Sequence, residues 1–381
     1  MNLKLSTLIV FTIALAFTSV AQEKENHFDI GGALRFNIFD KSWVNDKTQP
    51  EFTWDTWRLN VDGSLGKIDL SFEYRFYPNS NIHFIHHGYF GYGWTDNLYM
   101  KLGVSQVPFG IKGIASHSYF FQGQYYFGLE DDYDIGINFN YTGINKLELD
   151  FAYFREAEPQ GSGGFASRYS YDIVPGQRID GTDTITSSIK EMNQFNLRAV
   201  YDILPSTKLG ISAQVGGIYN SVLDKSETST AFAVHIHSAW GKGWSFKATA
   251  LTYDYAARSD NNQKLDIVQM GAYGSGYNVA AKANSYSAGI AKTFQVNWGP
   301  INSIEAHVDY TYVDKHISDY SDTQQLVPGL LIAAGPIFMY VDYAMGKNHP
   351  WFNEKFGEGL CVGDPNAEWM KRFNINIGYY F

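Results

Sequence analysis

The chain has 381 residues, a formal charge of −10, 36 Gly, and 17% aromatic residues that include 27 Tyr and 27 Phe. An acidic balance disfavours a nucleic-acid partner, because phosphates select basic surfaces. Cys361 is the only cysteine, so no internal disulfide forms and the thiol reads as a buried or loop residue without function. No cofactor is implied.

The chain opens with Lys4, then a short apolar run from Leu8 to Phe17, then Ser19-Val20-Ala21. This is the layout of a secretory signal peptide with cleavage after Ala21. The apolar run is far shorter than the ~20 residues a spanning helix needs. Residues 1–21 are therefore predicted as a signal peptide and 22–381 as one domain, with no Cys after the cut to carry a lipid anchor. Past the signal, no apolar run is long enough for a membrane helix, so a membrane protein built from this chain must use strands.

Strands are predicted at 28–39, 51–63, 67–77, 86–93, 97–106, 134–142, 146–156, 193–203, 207–219, 229–240, 243–255, 284–294, 301–313, 325–333, 336–345 and 369–381. Ile68-Asp69-Leu70-Ser71-Phe72-Glu73-Tyr74-Arg75-Phe76 is the clearest: every even residue suits lipid and every odd one suits water. A period of two marks a strand, where a helix would show 3.6. Alternation fades in 86–93, 243–255 and 325–333, where Gly, Ala or a phase change interrupts it. The connections alternate in length. Ser64-Leu65-Gly66, Trp94-Thr95-Asp96, Gly143-Ile144-Asn145, Leu204-Pro205-Ser206, Gly241-Lys242 and Ala334-Gly335 are short, whereas 107–133, 157–192, 256–283 and 346–368 are long. Short turns at one end and long loops at the other are the signature of an outer-membrane β-barrel. The last strand, with Phe373, Ile375, Ile377, Tyr379 and terminal Phe381 facing one way, resembles the assembly signal of such barrels. The expected fold is an all-β, antiparallel transmembrane barrel of about sixteen strands in a Gram-negative outer membrane.

The run Lys101-Leu102-Gly103-Val104-Ser105-Gln106-Val107-Pro108-Phe109-Gly110 resembles the porin O and P family of phosphate-selective porins and their relatives. There a strand ending in Gly and Gln runs into a Pro-Phe-Gly corner before the third loop. In this chain Gly103, Gln106, Pro108, Phe109 and Gly110 carry the likeness. The resemblance implies a sixteen-stranded barrel, commonly a homotrimer, with the third loop folded into the lumen. Phosphate selectivity in that family rests on a basic cluster at the constriction. Here the loop offers Lys112 and, instead of further basic residues, Glu130, Asp131 and Asp132.

Parity along the strands assigns Arg35, Arg58, Glu73, Arg75, Arg198, Lys247, Glu305, Asp309 and Arg372 to the lumen, since a charge on the lipid face costs ~2–4 kcal/mol at the midplane. Such charges either pair across strands and hold the wall together or leave unpaired Arg columns that favour anions. The loop also concentrates aromatic residues: Tyr119, Phe120, Phe121, Tyr125, Tyr126 and Phe127. These rings either anchor the loop, the favoured reading, or line a constriction for sugars or aromatic acids. Glu130, Asp131 and Asp132 with Asp134 lack the spacing of an EF-hand and read as a hydrated acidic rim. His83, His86 and His87 form a histidine cluster close to metal-ligand spacing but without a paired Cys or acid nearby in the sequence, and His235 and His237 read as lumen or turn residues, so no metal site is expected. No Gly-x-Ser-x-Gly motif is present, which sets a rim-site enzyme behind a diffusion channel for small hydrophilic, anionic solutes among outer-membrane lipids.

Overall fold

A computed structural model describes residues 26–162, 166–180 and 183–381. The expected signal peptide, 1–21, lies outside the described residues. Among the described residues sixteen antiparallel strands close a single barrel. In chain order these are β1 (His27–Lys41), β2 (Glu51–Leu65), β3 (Ile68–Tyr77), β4 (Ile82–Thr95), β5 (Leu98–Gln106), β6 (Tyr133–Ile144) and β7 (Leu147–Ala157). Three short strands follow in a long connection: β8 (Asp172–Ile173), β9 (Gly176–Asp180) and β10 (Asp183–Ser187). The wall resumes with β11 (Ile189–Leu204), β12 (Thr207–Asn220), β13 (Lys225–Trp240) and β14 (Trp244–Tyr255). It is interrupted by β15 (Ile267–Ala272) and β16 (Ser275–Ala280), and ends with β17 (Lys282–Trp298), β18 (Ile301–Lys315), β19 (Thr323–Ala334), β20 (Ile337–Lys347) and β21 (Met370–Tyr380).

Closure joins the two ends of the chain: β1 pairs with β21 from Ala33↔Tyr380 to Lys41↔Arg372. Gly32 and Phe381 then exchange both backbone hydrogen bonds, at 2.9 and 3.1 Å, so the terminal aromatic residue sits in the ladder. Short turns sit at one end of the barrel. In the two-residue turn between β19 and β20, Gly335 adopts φ +61°, a left-handed conformation that glycine enters without a Cβ clash.

The alternation of the sequence becomes the two faces of the wall. In β11, Phe195 and Leu197 are 58% and 57% exposed, whereas Asn196 and Arg198 between and beside them are 4% and 6% exposed. Phe28, Ile30, Phe90, Ile211 and Phe294 continue the exposed apolar surface around the outside. Large apolar side chains turned outward with polar ones inside invert the arrangement of a soluble barrel and match a wall bathed in lipid. Among the described residues no helix is long and apolar enough to cross a membrane.

Strands β4 and β11 start four residues before their predicted bounds, and each lies beside a bulge that interrupts the period. The strand expected at 86–93 runs from Ile82, and its register slips between Glu73 and Tyr74 of β3, which turns both His86 and His87 inward. The strand expected at 193–203 starts at Ile189, with a slip between Met192 and Phe195 where Asn193 takes φ 55°. An extra residue in one strand breaks strict alternation while the pairing continues. The long connections also hold structure that polarity did not signal: β8 joins β15 and β16 in a small sheet, and β9 pairs with β10.

Candidate functional site

The lumen is organised by residues 107–132, which fold into the barrel and run along its inner wall. Backbone amides and carbonyls placed there have no ladder partner, so the wall supplies polar side chains for them. At the entrance, Gly103 takes φ +133°, and a Cβ there would meet the Gly88 carbonyl oxygen at 2.4 Å. Gln106 donates through Nε2 to Asp131 at 2.7 Å, and Val107 N–H donates to the Asp132 carbonyl at 2.8 Å. The two ends of the loop are thereby clasped together. After Pro108 and buried Phe109, Gly110 N–H donates to Ser212 Oγ at 3.0 Å and its carbonyl accepts from Arg198 Nε at 2.8 Å. These five residues of the porin-like motif therefore form the corner that launches the loop across the lumen.

Beyond the corner, Lys112 reaches Glu148 at 2.5 Å and Asp150 at 3.1 Å. Lys247 holds the carbonyls of Ile114 and Ser116, both at 3.0 Å. Asp309 accepts from the backbone amides of His117 and Ser118 at 2.9 and 2.7 Å, and Asp342 accepts from Tyr119 N–H at 3.0 Å. The imidazole of His117 lies between Asp309, at 3.2 Å, and Ser245 Oγ, at 2.9 Å. That row has the order of a catalytic relay, yet the Asp309 carboxylate is already shared among two loop amides, and the row serves as an anchor. On the way back Thr311 takes Gly123 N–H at 3.0 Å, and Gln325 donates to the Phe121 carbonyl at 2.7 Å. The loop is thus fixed to β11, β12, β14, β18, β19 and β20.

The loop does more than narrow the lumen. Tyr125, Phe127 and Leu129 pack with Tyr169, Tyr171 and Ile173, with Leu265, Val268, Met270 and Tyr277, and with Leu360 in one apolar core. Four long connections therefore fill the half of the barrel at the loop end. Ring geometry supports this: Phe121 stacks on Tyr125 at 3.7 Å, and Phe120 meets Phe352 edge-on at 5.0 Å. Tyr125 donates to the Tyr169 carbonyl at 2.9 Å. Burial pushes the Tyr125 and Tyr126 hydroxyls well above the usual phenol range. The aromatic run is a packing element, in which Tyr119 and Phe120 also approach charges, with Arg35 5.7 Å and Arg372 5.5 Å from their ring centres. The short-turn half is open instead. Ile114 is 47% exposed although its carbonyl is bonded to the inner wall, so solvent reaches the underside of the loop.

Most inward charges are paired. Arg35 meets Asp55 at 2.7 Å, and Arg58 meets Glu73 at 3.0 Å. Arg75 also contacts Glu73, and its guanidinium lies 4.4 Å from the Tyr169 ring centre. Arg198 meets Asp150 at 2.8 Å, and Glu305 accepts from Thr293 at 2.7 Å. Arg372 stacks over Phe39 at 4.4 Å and over Phe120 at 5.5 Å. It forms no ion pair among the described residues. Arg372, Arg35, Arg58 and Arg75 stand on the adjacent strands β21, β1, β2 and β3, with Asp55 and Glu73 as their only ion-pair acceptors among the described residues. Asp62 and Asp69 also face the lumen on β2 and β3, where they accept from Ser71 and Tyr99, so the strip sets a cluster of four guanidiniums against carboxylates spread along it.

The acidic run corrects the expectation of a hydrated rim. Glu130, Asp131, Asp132 and Asp134 are 3%, 8%, 7% and 2% exposed, because the loop turns them into the filled half of the barrel. Burial pushes the Glu130 and Asp132 carboxyls well above the usual carboxylate range and Asp131 upward as well. Glu130 braces the loop against itself by accepting Ala115 N–H at 2.8 Å. The histidines separate: His83 bonds Tyr74 at 2.7 Å, whereas the bulge brings His86 and His87 to 2.9 Å from each other. His235 and His237 share the inner side of β13.

No family model matches the sequence, and no curated protein matches it. Solved structures do. The outer membrane channel DcaP of Acinetobacter baumannii aligns with a TM-score of 0.57 at 12% identity, covering 93% of this chain and 97% of that one. An anion-selective porin from Comamonas acidovorans aligns at 0.58 and 12%, covering 94% and 100%. The trimer form of the outer membrane protein OmpT of Vibrio cholerae aligns at 0.58 and 14%, covering 94% and 100%. At these identities the likeness is one of fold, that of outer-membrane porin barrels.

Proposed function

We propose that residues 22–381 form a porin of a Gram-negative outer membrane, delivered by a cleaved signal peptide over 1–21, and that it passes small hydrophilic solutes with a preference for anions. The observation that carries the preference is the clustering of Arg372, Arg35, Arg58 and Arg75 on the adjacent strands β21, β1, β2 and β3, with Arg372 outside any ion pair among the described residues. In a low-dielectric wall such a strip focuses a local positive field even in an acidic protein. Burial disfavours the charged forms of Glu130, Asp131 and Asp132, which weakens their opposition to it.

The aromatic core over the loop end adds a second feature. Solutes from the short-turn side reach Arg58, whose side chain is 20% exposed, while Tyr169 and Phe120 cover Arg75 and Arg372; passage through the other mouth requires the outer loops to part, so the channel is gated rather than permanently open. The corner at Gly103, Gln106, Pro108, Phe109 and Gly110 supports membership of the porin O and P family. The trimeric state of the OmpT structure supports a homotrimer. The anchoring role of Ser245, His117 and Asp309 favours a channel over an enzyme, and the packed state of the aromatic run speaks against stacking on sugars.

Reconstitution of the full chain in a planar bilayer under a salt gradient tests the reading. The expected result is a stepwise conductance with a reversal potential on the anion-selective side, moved toward cations by Arg58→Gln with Arg372→Gln. Clear cation preference of the unaltered protein, or the absence of any conducting state, rejects it.

A further inference from the structure

The acidic residues that end the loop meet a second set from the next long connection. One oxygen each of Asp132, Asp134 and Asp172 lies within 4.8 Å of the other two. Three oxygens so spaced stand at most about 2.8 Å from a common centre, a few tenths of an ångström beyond a calcium–oxygen bond. Glu158, 1% exposed, and Glu191 stand beside them. Against these five carboxylates stands, among the described residues, a single guanidinium, Arg168, bonded to Asp172 at 3.1 Å.

Hydrogen bonds account for part of this acid. Asp132 accepts Tyr133 N–H at 3.0 Å, Glu191 accepts Ile173 N–H at 2.8 Å, and Glu158 Oε1 accepts the amides of Tyr169 and Ser170 at 3.1 and 2.9 Å. Asp134 Oδ2 takes Gln194 at 3.0 Å. Two oxygens have no partner among the described residues: Asp134 Oδ1 and Glu158 Oε2, in side chains 2% and 1% exposed. A buried carboxylate oxygen without a donor is a costly arrangement that native structures resolve with a proton, an ion or water.

We propose that Asp132, Asp134 and Asp172, backed by Glu158 and Glu191, form a calcium site that ties the end of the lumen loop to the connection bearing Asp172 and to β11. The donors are oxygens only, which selects a hard cation over zinc or copper.

Calorimetric titration of calcium into the full-length protein, folded in detergent and stripped with a chelator, tests this. One saturable calcium per chain is expected, weakened at least tenfold by Asp172→Asn and by Asp134→Asn, and unchanged by Asp96→Asn in the short turn between β4 and β5 at the other end of the barrel. Heat-modifiable migration in gels verifies that each variant is a closed barrel. Glu158→Gln, also expected to weaken binding, replaces any variant that does not assemble. Absence of saturable uptake by the unaltered protein, or equal affinity in the folded variants, overturns the assignment.

Discussion

The Arg198 Nε–H donates to the Gly110 carbonyl at 2.8 Å, while Asp150 holds the same guanidinium from the wall at 2.8 Å. One wall residue thus fixes both the corner of the lumen loop and a buried carboxylate. The consequence is that loop position and barrel stability are linked through a single side chain, which makes the linkage measurable.

Replacing Arg198 by Met keeps the aliphatic stem but leaves the Gly110 carbonyl without its donor and Asp150, 2% exposed, with Lys112 and Asn140. Breaking a buried pair from one side costs about 3–5 kcal/mol, and the remaining lysine lowers this to about 2–3 kcal/mol. The urea midpoint of the folded barrel is expected to fall by that amount, and single-channel recordings are expected to become larger and noisier. An unchanged conductance with a lowered midpoint would assign Arg198 to the wall alone.

Asp309, 1% exposed, holds the apex of the loop through the amides of His117 and Ser118. Asp309→Ala strands those two donors in a dry site, at roughly 1–3 kcal/mol for a buried unsatisfied group. The loop is expected to detach locally while the barrel stays closed. Trypsin cleavage after Lys112, slow in the native protein and fast in the variant, reads this out. Equal cleavage rates would mean that the other anchors suffice.

These anchors show which parts of the architecture could be read from the chain. Strand positions follow from a period of two because one face meets lipid and the other does not, as Phe195 and Leu197 against Asn196 and Arg198 make plain. The inward fold of the loop followed from its resemblance to porins, whereas its partners on β11, β14 and β18 are distant in sequence and leave no periodic trace. His86 and His87 broke the alternation because a bulge turned both inward. Glu130, Asp131 and Asp132 looked like a solvated rim since composition alone cannot report that three other connections cover them. Strands β8 and β15 were missed because they pack on one another inside the mouth and so escape the lipid–water pattern.

His349 follows β20 and sits in the covering loops, where its Nδ1 accepts the amides of Trp351 and Phe352, both at 3.1 Å, while its Nε2–H donates to Gln325 at 2.9 Å. Burial pulls its pKa down to about 3, below the value near 6.5 of an unfolded chain. The folded state thus binds fewer protons, so this contribution to stability is complete above pH ~6.5 and is lost as pH falls toward 3. The drop is on the order of 4 kcal/mol. Hydrogen exchange in 348–358, corrected for intrinsic rates, is expected to speed up on going from pH 7 to pH 4, and His349→Gln is expected to remove that dependence. Constant protection across the range would contradict the prediction.

The outer surface offers a comparison at matched exposure. Leu197 lies mid-strand in β11 and Val222 at the tip between β12 and β13, and they are 57% and 61% exposed. In water the two positions would tolerate arginine equally, since each already faces solvent. In a bilayer Leu197→Arg places a charge near the midplane at ~2–4 kcal/mol, whereas Val222→Arg lies beyond the hydrocarbon and is near neutral. Folding into vesicles, followed by the denaturant midpoint, is expected to separate the variants by that margin, and the gap is expected to shrink in detergent, where the charge reaches water more easily. Equal midpoints in vesicles would place the apolar belt somewhere other than in lipid.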